Sequence, residues 1–135
     1  MPGWRDFSNR RIGAGFGVFA SAIAATLGSP ATAAELVMME QPGCVWCERF
    51  RSEIAPAYGK TEEGRRAPLR RVDITQPWPD DLSAVAPERL TPTFVLVEDG
   101  QEVARLRGYP GEHFFWPMLD EMLEKLEAAQ DRPAH

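Results

Sequence analysis

The chain has 135 residues, enough for one domain and not two. Its hydrophobic and charged fractions, 44% and 26%, are those of a globular chain that can pack a core. A net charge of −5 speaks against a nucleic-acid partner, which needs a basic surface, and two cysteines are too few for a disulfide-built scaffold.

The first third reads as a leader. "MPGWRDFSNRR" carries three arginines and one acid, and Ile12 to Gly28 is apolar and uncharged. Small residues follow at Ala31, Ala33 and Ala34. A basic front, an apolar middle and a small-residue exit describe a secretory signal peptide, with cleavage expected after Ala33 or Ala34. The competing reading is a membrane anchor, but the apolar run is rich in Gly and Ala and falls short of the roughly 20 residues of a span. Arg10-Arg11 is a weak hint of twin-arginine export, and the ordinary secretory route is the default. The expected organisation is a signal peptide over 1–34 and one domain over 35–135, without a permanent membrane anchor. Losing three arginines and Asp6 takes the net charge from −5 to −7. The mature domain then belongs in the periplasm, where disulfides form and persist.

Glu35 to Glu40 is a short apolar run that predicts a buried strand, ended by the turn signal Pro42-Gly43. From Val45 the spacing turns helical, with Val45, Trp46, Phe50, Ile54 and Ala57 on one face. Pro56 should kink or end that helix. Gly59 to Pro68 is charged and flanked by Gly and Pro, and reads as an exposed connection. Leu69 to Ile74 predicts a second strand. A short helix is expected from Asp80 to Val85, with both aspartates at its N-terminus.

Thr93 to Val97 is β-branched and apolar, as a central strand should be. Asp99-Gly100 is a strong hairpin signal, which makes Glu102 to Leu106 its antiparallel partner. The last element, Glu112 to Ala129, repeats Phe114, Phe115, Met118, Leu119, Met122, Leu123 and Leu126 on one broad helical face. Pro117 fits only near the start of the regular helix or at a kink, and the final residues should fray. A strand–helix–strand unit implies a parallel pair and the hairpin an antiparallel one. The fold class expected is α/β, a mixed four-stranded sheet flanked by helices, which is the thioredoxin-like architecture.

Both cysteines lie in "QPGCVWCERF", at the junction of the first strand and helix. At a helix N-terminus, free N–H groups and the dipole stabilise a thiolate, so Cys44 is the candidate nucleophile. Cys47 lies about one turn on and can resolve a mixed disulfide. Three other readings compete. A purely structural disulfide would close a very small loop with little entropic benefit. A structural zinc site needs four ligands, and only His113 and His135 accompany the thiols. Two inert thiols are unexpected at a Pro-Gly turn in an oxidising compartment. A redox pair is the favoured reading, with no metal and no bound cofactor.

The CxxC after the first strand, "TPT" before the third and the order of elements resemble the thioredoxin superfamily. More specifically, "EQPGCVWCERF", "EIAP", "APLRRVDI", "TPTFVLVEDG" and "GYPGEHFFW" resemble the SoxS-type thioredoxin-like proteins encoded with sulfur-oxidation enzymes. The resemblance covers nearly all of the mature chain. It implies a cis-proline at Pro92 facing the thiols, with the backbone of Thr91 exposed for pairing with a substrate strand. It implies a periplasmic thiol-disulfide reductase that acts on cysteine-bearing Sox proteins, notably SoxYZ. The electron donor it implies is a membrane thiol transporter of the CcdA/DsbD kind. A monomer is expected.

Two departures stand out. Val45-Trp46 replaces the Gly-Pro of thioredoxin, and an aromatic before the second cysteine is instead similar to glutaredoxins and disulfide isomerases. Trp46 is thus a candidate substrate-binding residue or a plain helix-packing aromatic. The buried acid that thioredoxin carries on its first strand is replaced by Met38 and Met39, and neither Glu40 nor Glu48 is assigned its role. Alternative functions are therefore glutaredoxin-like, isomerase or oxidase activity on other clients, or a non-catalytic binding module.

Overall fold

The computed structural model describes residues 34–132. The leader therefore lies outside the described residues except for Ala34, as does the end of the tail expected to fray. Strand β1 (Ala34–Glu40) opens on Ala34 and is one of the sheet's two inner strands. Four successive side chains from Leu36 to Met39 are fully buried, because both faces of this strand are covered. Parallel β2 (Leu69–Asp73) lies on one side of it and antiparallel β3 (Thr93–Glu98) on the other. Strand β4 (Gln101–Arg107) completes the order β2-β1-β3-β4. The hairpin turn places Asp99 at φ 51° and Gly100 at φ 73°, the left-handed pair that a two-residue hairpin needs. Both edge strands carry arginines, Arg70 and Arg71 on β2 and Arg105 and Arg107 on β4, which discourages edge-to-edge pairing.

One face of the sheet presents Leu36, Met38, Phe94, Leu96 and Ala104. It is covered by α1 (Val45–Glu53) and α4 (Glu112–Gln130), with the short helices α2 (Ala55–Tyr58) and α3 (Glu62–Arg66) between them in sequence. Phe50 of α1 sits at the centre of an aromatic cluster. Its ring centroid lies 4.7 Å from Phe94, 5.1 Å from Phe115 and 5.6 Å from Tyr109. The other face presents Val37, Met39, Val72, Val95 and Val97. Its cover is a proline-rich segment that lays Trp78, Leu82 and Val85 on the sheet.

Several expectations need correction. The inward stripe of α1 is Cys47 and Phe50, continued by Ile54 and Tyr58, a 3-4-4 spacing that starts at the second cysteine. Val45 and Trp46, expected on that face, are 70% and 51% exposed, and Ala57 is exposed too. On α4 the stripe is Phe115, Leu119, Met122, Leu123 and Leu126, whereas Phe114 and Met118 are exposed. The supposed connection at 59–68 contains α3. Thr61 caps it, its Oγ1 accepting from Gly64 N–H at 3.0 Å. The helix expected over Asp80–Val85 shortens to a single 3-10 turn, Asp80–Leu82, fixed by Trp78 Nε1 donating to the Leu82 carbonyl at 2.9 Å. Helix α4 continues without a break through Pro117. The carbonyl this deprives of a donor belongs to His113, which is exposed, so water can serve it.

Candidate active site: the Cys44 turn and the Thr91–Pro92 segment

Strand β1 delivers the chain into the turn Gln41-Pro42-Gly43. Gly43 takes φ 75°, and Cys44 N–H donates to the Gln41 carbonyl at 3.3 Å. The tight reversal explains Gly here, since a side chain at that φ is strained. Cys44 is then the N-cap of α1, with extended backbone (φ −80°, ψ 101°), and its Sγ accepts from Cys47 N–H at 3.1 Å. The sulfur thus occupies the place where an oxygen caps most helices, and negative charge there is favoured by the unpaired N–H groups of the first turn. Cys44 and Cys47 are joined as a disulfide, their Cα atoms 5.2 Å apart. The two sulfurs are not equivalent. Cys47 is fully buried against the core, while Cys44 is half-buried among exposed Pro42, Gly43, Val45 and Trp46.

The second half of the site is the segment that leads into β3. The Thr91–Pro92 peptide bond is cis. The Pro92 carbonyl accepts from Gly108 N–H at 2.8 Å, and Thr93 Oγ1 donates to the Leu90 carbonyl at 2.7 Å. Gln41 Nε2 donates to Thr91 Oγ1 at 3.0 Å, which ties this segment to the thiol turn across 50 positions of sequence. Gln41 was not singled out by sequence reasoning. Nothing local distinguishes it from any polar residue before a Pro-Gly turn.

Trp46 is not packed into the core. Its ring lies beneath the Arg49 guanidinium, 5.5 Å from Cζ to centroid. Arg49 Nε also pairs with Glu53 at 2.8 Å, and Tyr109 donates to the same carboxylate at 2.6 Å. Arg49 first, and Tyr109 second, hold the Glu53 carboxyl below its usual range. Burial, then the hydrogen bond to Glu53, push the Tyr109 hydroxyl well above its own. Trp46 thereby sits at one end of a polar chain that reaches the loop before α4.

Of the two acids near the thiols, Glu40 is engaged. Its carboxylate bonds Arg51 at 2.6 Å and lies 3.8 Å from Arg71. Glu48 is exposed. Met38 and Met39 fill the interior of β1. A cavity of about 270 Å3 beside the turn is lined by Glu40, Glu48 and Asp73 with Arg51 as its single cation, an unfavourable setting for an anionic small-molecule ligand. Among the described residues no group of three or more His, Cys, Asp or Glu side chains could hold a metal ion, and no helix is long and apolar enough to cross a membrane.

No protein-family model matches the chain, and the comparison with curated proteins returns no match. Solved structures do match. The crystal structure of the reduced periplasmic thioredoxin SoxS from Paracoccus pantotrophus is 48% identical, with a TM-score of 0.66, over 69% of this chain and 98% of that one. Thioredoxin from Thermus thermophilus is 21% identical at a TM-score of 0.54, over 76% of this chain and 85% of its own. Malassezia sympodialis thioredoxin is 18% identical at 0.50, over 67% and 76%. These two share the fold. The first shares close to half its residues along nearly its whole length, together with a strand–CxxC–helix junction that here holds a disulfide, so the chain belongs to the thioredoxin superfamily and is a thiol-disulfide oxidoreductase.

Proposed function

We propose that the protein is a periplasmic reductase of the SoxS type, with Cys44 as nucleophile and Cys47 as resolving thiol. One asymmetry carries this reading: Cys44 is reachable and caps a helix, while Cys47 is sealed beneath it. In the reduced protein the Cys44 thiolate attacks one sulfur of a client disulfide. A Cys44–client bond forms, and the client's other sulfur leaves as a thiolate and takes a proton. Cys47, losing its proton, then attacks the Cys44 sulfur and expels the second client thiol. Two electrons pass to the client, the Cys44–Cys47 disulfide remains, and no bound cofactor is needed. Thr91 and Pro92 hold the client strand beside Cys44, and exposed Trp46 offers it an apolar contact.

The leader-like N-terminus and the periplasmic relative support the compartment. The same resemblance makes cysteine-bearing Sox proteins such as SoxYZ the proposed clients, and a membrane thiol transporter of the CcdA/DsbD kind the proposed donor. Cys44→Ser should abolish insulin-disulfide reduction, and Cys47→Ser should trap mixed disulfides visible on non-reducing gels. Equal trapping through either cysteine would overturn the assignment. Titration in thiol/disulfide buffers decides direction: a potential near about −270 mV supports a reductase, and one near about −120 mV an oxidant.

A further inference from the structure

The bond between Gln41 and Thr91 joins the two loops that the proposed mechanism brings to a client, and neither loop needs it to fold. The thiol turn is already closed by Cys44 N–H on the Gln41 carbonyl. The other segment is already held by Gly108 N–H on the Pro92 carbonyl and by Thr93 on Leu90. The side-chain bond, Nε2 to Oγ1 at 3.0 Å, fixes something else, the offset between the two loops. Thr91 uses its oxygen as acceptor here and donates to no other described residue, so its hydroxyl proton remains available to a ligand.

We propose that Gln41 is a positioning residue for protein clients: it holds Thr91 at the offset from Cys44 that lets a strand paired along Thr91 place its sulfur in line with the Cys44 sulfur. This rests on the reading that Thr91 and Pro92 hold the client. Misplacement of a bound group by about 1 Å is enough to slow a reaction strongly, so one bond that sets register matters more than its strength suggests. A disulfide too small to lie along Thr91 gains nothing from that register. The role therefore separates large substrates from small ones.

The test compares Gln41→Ala with the unaltered protein on insulin and on 2-hydroxyethyl disulfide, and measures the reduction potential of both. The expected result is a kcat/KM for insulin lowered at least about fivefold, since the worth of one hydrogen bond is the least that losing the register costs, with the small-disulfide rate and the potential unchanged. Adding Gln41→Ala to Thr91→Val should have no further effect, because the bond is already gone. An unchanged kcat/KM for insulin would overturn the proposal. So would a shifted potential or an equal loss on both substrates, which would place Gln41's effect on the thiols themselves. Pro92→Ala that leaves insulin reduction unimpaired would instead overturn the reading that this segment holds the client, whereas a loss in Pro92→Ala with none in Gln41→Ala would overturn the Gln41 proposal alone, so the two failures are distinguishable.

Discussion

Replacing Phe50 by Ala tests how the thiol-bearing helix is fastened to the sheet. Phe50 is fully buried, one turn beyond Cys47, and its ring meets Phe94 on β3, Phe115 on α4 and Tyr109 before α4. Deleting a buried Phe side chain costs about 3–5 kcal/mol through lost transfer energy and the cavity left behind. The packed aromatic edges place this site toward the upper part of that range. A domain of this size has about 5–15 kcal/mol of stability in total, so the substitution should remove about a fifth of it or more. At about 4–8 °C per kcal/mol for a small domain, the melting temperature should fall by at least about 12 °C. Urea unfolding followed by far-UV circular dichroism, with the disulfide intact, measures the loss. Phe50→Leu keeps most of the volume and should cost under about 2 kcal/mol. A loss below about 1.5 kcal/mol for Phe50→Ala would show that α1 is held elsewhere and would refute the reasoning.

Three further outcomes follow from the same geometry. In the reduced protein, iodoacetamide should modify Cys44 at least about 100-fold faster than Cys47, because Cys47 is reachable only through local opening; comparable rates by mass spectrometry would contradict the assigned roles. Gly64→Ala should destabilise by about 1–3 kcal/mol although Ala is the better helix former, since its Cβ would lie 1.9 Å from the Tyr58 carbonyl oxygen; a stabilised variant in a thermal melt would show that α3 can move aside. Glu53 titrates below its unfolded-state value, so its contribution to stability is present above about pH 4.3 and lost as pH falls through the depressed folded value. By carboxyl NMR titration, Tyr109→Phe should move that value upward and Arg49→Met should move it further, in the order of their contributions; an unmoved Glu53 in both would sink the account.

Strands and turns were the most legible parts of the sequence. Thr93 to Val97 reads as a strand because its side chains are β-branched and apolar on both faces, and Asp99-Gly100 names its own turn through the positive φ it requires. The short helix α3 was missed because five residues carry too little periodicity to register. The signal was Thr61 ahead of two acids, a cap pattern hidden in a charged run. Val45, Trp46 and Phe114 were placed on inward faces because a hydrophobic pattern fixes a helix's period more firmly than its rotation. Rotation is set by which neighbours the helix packs against.

The sequence by itself determined the class of chemistry, since Cys-x-x-Cys at a strand-to-helix junction sets two thiols one turn apart, the arrangement thiol-disulfide exchange uses. It also determined the mixed sheet, through one crossover and one hairpin. Tertiary structure alone decided that Cys47 is sealed while Cys44 remains reachable, and that Trp46 faces solvent. It alone joined Gln41 to Thr91 and put a proline-rich loop on the sheet's second face. Local sequence encodes backbone preference and side-chain chemistry. Accessibility and the meeting of residues 50 positions apart depend on packing, which no short window of sequence contains.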